Sequence, residues 1–168
     1  VDLFLIGRKR KEVSREDVVT ALATVSVFQN YVQHADAKAG IVVVVHAAGA
    51  ALLAAQSGVA PRMLAGSPAV GWPILVVFAA GFLGAGYHLA RAVSPSRSFI
   101  RSRFGISGVP ETAPDHTDLA TQYEEAWAMV TTLAAIARVK HLHVTRAVRW
   151  SCVMILSITA WSAAILLV

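Results

Sequence analysis

This sequence has little charge. Only 15% of its 168 residues are Asp, Glu, Lys or Arg, where an ordinary soluble domain carries about 25%. Hydrophobic residues make up 56% and the mean hydropathy is +0.59, so the membrane class comes first. A single cysteine, Cys152, excludes an intrachain disulfide; it falls inside an apolar run and reads as a packing or lipid-facing thiol. The sequence shows no metal-ligand cluster, no nucleophile–base constellation and no Gly-rich phosphate loop. Nothing therefore points to an enzyme or to a metal site. A chain this apolar is also a poor match for nucleic-acid polymers. The run Arg8–Lys11 reads as a solvated or lipid-facing anchor, and the opening VDLFLIGRKRKEVSRED has its charges after a short apolar piece, the reverse of a secretory signal.

What is present is length without charge. A spanning helix needs about 20 mostly apolar residues, and three segments qualify: 39–57, 71–90 and 150–168. The expected fold class is all-α, an integral membrane protein with three transmembrane helices in one membrane domain, 1–168. Six Lys and Arg precede the first span and eight lie between the second and third, against Arg62 alone in 58–70. The positive-inside rule then places the N-terminus and the 91–149 segment in the cytoplasm, with 58–70 and the C-terminus outside. All ten acids fall on the cytoplasmic side as well. The loop 58–70, GVAPRMLAGSPAV with its Gly and Pro, is expected to be a tight outer connector.

The first and third spans are expected to extend into the cytoplasm as amphipathic helices, over 14–38 and 118–149. Ser14 precedes acids and is a candidate N-cap. Val18, Leu22, Val25, Phe28, Val32 and Ala35 then recur at helical steps. With no Pro or Gly before Gly40, one helix should run from about residue 15 to 57. Asp118 is the matching cap for a stripe of Leu119, Tyr123, Ala126, Val130, Leu133, Ala137 and Val144. Between them, 91–117 reads as a basic loop. Small residues four apart, Ala47 with Ala51, Ala80 with Gly84 and Gly81 with Ala85, permit close helix approach. They make a homo-oligomer the expected state, with a packed monomer as the alternative.

The ionisable residues gather where the helices would enter hydrocarbon. His34, Asp36 and Lys38 end the first cytoplasmic helix. Lys38 can snorkel to the headgroups, whereas an acid at that depth needs a partner or water. Arg138, Lys140 and Arg146 are its candidates. The turn ARVKHLHVTRAVRW, 137–150, carries four permanent cations, Arg138, Lys140, Arg146 and Arg149, with fractional charge from His141 and His143. Such a turn can hold an anionic ligand, with Tyr31 or Trp127 for stacking, or can serve only as a collar for anionic lipid. Alternate residues on a helix diverge, so His141 and His143 make no metal site. Within the spans, His46 and His88 have no acid beside them; hydrogen bonding between helices is expected of them rather than a proton relay.

HADAKAG (34–40) leading into a span, a second span, a basic loop, and LAAIARVKHLHVTRAV (133–148) before the last span resemble the Pycsar transmembrane effector family (pyrimidine cyclase system for antiphage resistance) over about residues 16–168. Its most specific elements are Asp36-x-Lys38-Ala39-Gly40 and Ala137-x-x-Lys140. The resemblance implies a bacterial inner-membrane effector, not an enzyme. It would bind cyclic UMP or cyclic CMP from a companion cyclase and then impair the membrane. It supplies no list of contact residues. From charge and depth alone, Arg138, Lys140, His141, Lys38 and Tyr31 are the candidate ligand contacts, Asp36 and His34 the coupling residues, and Gly81, Gly84, Ala80 and Ala85 the helix-packing residues. A ligand-independent structural or transport-accessory membrane protein is the competing reading.

Overall fold

A computed structural model describes residues 12–94 and 118–167. The Arg8–Lys11 run and most of the basic loop, 95–117, lie outside the described residues. Four helices account for nearly all the rest: α1 Arg15–Ala55, α2 Ala60–Gly66, α3 Pro68–Val93 and α4 Leu119–Leu167. Three of them, α1, α3 and α4, are long and apolar enough to cross a membrane. In hydrocarbon a helix keeps every backbone donor and acceptor paired. That requirement overrides the weak helix propensity of the β-branched run from Ile41 to Val45.

α1 is one uninterrupted helix of 41 residues, about 60 Å long. Its start is closed reciprocally: the Asp17 N–H donates to Ser14 Oγ at 3.2 Å, and the Ser14 N–H donates to an Asp17 carboxylate oxygen at 3.0 Å. α4 starts on Asp118, whose carboxylate accepts the Thr121 N–H at 2.6 Å. That backbone bond holds the Asp118 carboxyl below the usual carboxylate range. Both caps stand where the sequence places them.

The buried face of α1 keeps a strict three–four alternation, which Gln56 continues one residue past its end: Val18, Ala21, Val25, Phe28, Val32, Ala35, Ala39, Val42, His46, Gly49, Leu53 and Gln56 are all buried or half-buried. α4 does the same from Leu119 through Ala126, Val130, Ala137, Lys140, Val144, Ala147, Ser151, Met154 and Ile158 to Ile165. α3 follows with Gly71, Leu75, Phe78, Phe82, Ala85, Leu89 and Ala92. A 3.5-residue repeat is the pattern of helices wound around one another in a left-handed sense. It also corrects the expected stripe. Leu22 is 42% exposed and Ala21 is fully buried, because only the 18–21–25 step stays in phase with the rest of the helix.

The described residues divide into two compact units, with 12–29 and 118–134 in the smaller and 30–94 and 135–167 in the larger. In the smaller unit Val18, Ala21, Val25, Ala126 and Val130 are buried, and Tyr123 meets Trp127 edge-on. The larger unit has two apolar clusters. One joins Ala39 and Val42 of α1, Leu89 and Ala92 of α3, and Val144 and Ala147 of α4. The other joins Met63, Phe78, Met154, Ile158 and Trp161.

Met63 belongs to a helix that the sequence reading of 58–70 omitted. Pro61 sits in the first turn of α2 and Pro68 in that of α3, where a missing N–H costs nothing. Ser67 links the two, donating its N–H to Met63 O at 2.8 Å. The Gly and Pro that read as loop residues are thus helix boundaries, and burial of Met63 anchors the short helix between them.

Candidate functional site

Within the larger unit α1 and α4 run parallel and in register. Asp36 meets Lys140, Gly49 faces Met154 and Gln56 bonds Ser162, so partners differ by 104 to 106 residues. α3 packs antiparallel against both, meeting α4 at Gly81–Met154 and His88–His143 and α1 at Phe82–His46. This register brings the charged turn of α1 beside the charged turn of α4.

Of the three cations the sequence offers Asp36, the structure joins it to Lys140. Lys140 Nζ donates to Asp36 Oδ1 at 2.5 Å, with side-chain exposures of 18% for the Lys and 48% for the Asp. The asymmetry follows from the repeat. Lys140 stands on the buried seam of α4, between Ala137 and Val144. Asp36 stands one position beyond the seam residue Ala35. A lysine whose side chain is largely covered therefore reaches out of an apolar stripe to a half-exposed carboxylate. An exposed pair of this kind contributes about 0–1 kcal/mol. Lys140, the more covered of the two side chains, has less water to fall back on when the pair opens.

Tyr31, His34, Lys38, Arg138 and His141 are exposed on the same two turns. By register, His34 stands level with Arg138, and Asp36 and Lys38 bracket the level of His141. The Asp36–Lys140 bond ties these turns together. Trp127, the other stacking candidate, belongs to the smaller unit.

One turn further along α4, His143 meets His88 of α3, Nδ1 to Nδ1, at 3.0 Å with ring centroids 5.3 Å apart. One ring must donate and the other accept, so both cannot carry two protons while the bond holds. Arg91 and Arg146 lie within electrostatic reach of His143, and Tyr87 sits edge-on to His88. The hydrogen bond expected of His88 is present. Its partner was not legible, because it depends on the register of an antiparallel helix 55 residues away. His46 behaves otherwise: it stacks on Phe82 at 3.9 Å, and its Nδ1 is buried with no partner among the described residues.

The small residues of α3 are turned toward α4 of the same chain. A Cβ on Gly81 would lie 2.9 Å from the Met154 backbone N, and one on Gly84 would lie 2.6 Å from the Trp150 indole. Ala85 is fully buried. Ala80 is exposed, as are Ala47 and Ala51 on α1. Among the described residues no three His, Cys, Asp or Glu side chains gather as a metal site.

The arrangement is a cationic turn on two helices with the Lys140–Asp36 ion pair between them, seated on a bundle whose packing continues into the apolar spans. Among known protein families, the Pycsar effector protein domain matches residues 20–168. Searches of curated proteins and of solved structures gave no match.

Proposed function

This chain belongs to the Pycsar effector domain family, an antiphage effector set in a membrane, and we propose that its charged turn is the receiver for a cyclic pyrimidine mononucleotide. The ligand, cyclic UMP or cyclic CMP, comes from a companion cyclase. The phosphodiester carries one negative charge, and Lys140 is the group it engages, in place of Asp36. Arg138, His141 and Lys38 supply further donors around it, and the exposed ring of Tyr31 offers a face for the base. Such stacking is worth about 1–3 kcal/mol per base.

The single observation that carries this reading is Lys140 itself: a cation on the buried seam, held by a carboxylate that is free to return to water. Exchanging that carboxylate for a phosphate keeps the ammonium paired. It also removes the ionic tie between α1 and α4 at this end, leaving the apolar contacts of Ala39 and Val42 with Val144 and Ala147. A ligand shifts an equilibrium only through its differential affinity for the two states. A charged hydrogen bond made in one state alone, about 1.5–3 kcal/mol, moves the balance roughly tenfold to hundredfold. Asp36 and His34 act as coupling residues, because they sit on the helix that runs directly into the first span. The outcome is loss of inner-membrane integrity, which stops the infected cell before phage matures.

In this reading the charged turns face the cytoplasm and the α2 end faces the periplasm, so a reporter fused after Val168 reads periplasmic. Copies assemble through the small exposed residues Ala47, Ala51 and Ala80, since Gly81, Gly84 and Ala85 already pack within the chain. The test is membrane-potential dye uptake in bacteria expressing the protein, with and without each cyclic nucleotide. Depolarisation that depends on cyclic UMP or cyclic CMP supports the receiver. Depolarisation by neither supports the ligand-independent structural role instead.

A further inference from the structure

Four buried polar atoms of the larger unit have no partner among the described residues: His46 Nδ1, Gln56 Oε1, Ser151 Oγ and Trp161 Nε1. All four belong to residues on the buried seams of α1 and α4. The register of those helices sorts them into two levels. His46 stands opposite Ser151, and Gln56 stands opposite Trp161 beside the Gln56–Ser162 bond of 2.9 Å. The two levels are ten residues apart on each helix, about 15 Å. A polar atom buried at membrane depth takes a water when no side chain answers it. Each level pairs groups that a bridging water satisfies.

Between the levels lies an apolar layer built on Met154, which is fully buried. A Cβ on Gly49 would meet its Cε at 2.6 Å, so the thioether fills the notch that this glycine leaves. Phe78 and Ile158 complete the layer. Hydrophobic constrictions of this kind close a pore by excluding water, and an unbranched Met is the side chain that most readily vacates such a position.

We infer that the interior of this three-helix bundle is a proton path, with a hydrated level at His46 and Ser151, a second at Gln56 and Trp161, and Met154 as the gate between them. The inference rests on the proposed loss of membrane integrity and names what crosses. The lining is neutral and hydrogen-bonding, and no Asp or Glu occurs in the spans to hold a metal cation. The helices approach too closely for a hydrated ion. Protons need only a chain of waters and a titratable relay, which His46 supplies, with the His88–His143 pair next to the charged turn. In the structure as it stands the path is closed at Met154.

The test uses the full chain in liposomes holding a pH indicator, with a potassium gradient and valinomycin to drive protons. Without any nucleotide, Met154→Ala should raise proton flux at least tenfold over the parent protein, and Met154→Leu should not. Adding His46→Phe, which keeps the stack on Phe82, should return the Met154→Ala flux to the parental rate. Potassium flux, read without valinomycin, should stay at the parental rate in every variant. A Met154→Ala protein with no added proton flux overturns the path, and so does one that leaks potassium as readily as protons. Persistence of the flux in the His46→Phe double variant also overturns it. A second arm uses the intact gate: if cyclic UMP or cyclic CMP triggers flux in the parent, His46→Phe should abolish it while nucleotide binding is unchanged. Ligand-triggered flux that survives His46→Phe sinks the path and leaves the receiver standing. Met154→Ala flux that His46→Phe stops, with no nucleotide response in the parent, sinks the receiver and leaves the path.

Discussion

The two ends of the larger unit are held together by different physics. At the charged end α1 and α4 are tied by an ion pair beside an apolar layer of modest side chains, Ala39, Val42, Leu89, Ala92, Val144 and Ala147, without an aromatic ring or a methionine. At the other end Met63, Phe78, Met154, Ile158 and Trp161 interlock, with the largest fully buried side chains of the described chain, Trp161, Met63 and Met154, all in that layer. A charge-held contact can be exchanged for another charge at little net cost. A volume-held contact has no substitute and moves only when side chains repack. The first is suited to be a switch and the second to be a barrier.

Crowding the barrier should give the largest effect. Gly81→Leu drives a side chain into the Met154 backbone, at 2.9 Å from its N and 3.1 Å from its Cα, and backbone cannot rotate away. Overpacking of this kind costs about 1–3 kcal/mol or more, so thermal unfolding in detergent should shift down by many degrees. Ala79→Leu, on the exposed face, is the control. Equal behaviour of the two would erase the distinction between the ends.

Loosening the switch should be milder. Asp36→Asn keeps the shape at the charged end and removes the anion, so Lys140 loses its partner. We expect toxicity without nucleotide to rise severalfold in a growth assay, with the folded yield little changed. Silencing of the protein by this substitution would instead place Asp36 within the ligand site.

The smallest effect belongs to the start of α4. The Asp118 carboxyl is held low by the Thr121 N–H, so its cap is in force above its ordinary carboxylate range and is lost as pH falls through the lowered folded-state value. Asp118→Ala should speed amide exchange in the first turn of α4 at neutral pH. In the parent the same change should appear only well into acid. A parent protein whose first turn frays at the ordinary carboxylate pKa would contradict the cap.

Much of this was legible in the sequence because it is local. Ser14 and Asp118 announce helix starts, uncharged length announces spans, and the absence of Pro and Gly before Gly40 makes α1 continuous. What was not legible depends on phase and register. Choosing Leu22 over Ala21 follows a short-range pattern that slips against a 3.5-residue repeat maintained over 41 residues. The stripe drawn on α4 passed over Lys140 because a cation looks out of place there, although the spacing from Ala137 and Val144 puts it on the seam. The same phase would have placed His46, Gln56 and Ser151 inward. The His88–His143 pair requires knowing how α3 slides along α4, and no local signal encodes that. The residues of α2 were hidden by their own Pro and Gly, which mark ends of helices as often as loops.

The most direct test of the receiver is nucleotide binding and depolarisation measured on the same proteins, the parent and the Arg138→Ala/Lys140→Ala double variant. The double variant is needed because Arg146 and Arg149 on the same turn can buffer a single loss. The account predicts that the parent binds cyclic UMP or cyclic CMP and depolarises with it. The double variant should insert normally, bind roughly tenfold to hundredfold more weakly and fail to depolarise at the parent's saturating dose. A double variant that binds and depolarises like the parent would reduce the turn to a lipid collar and contradict the account.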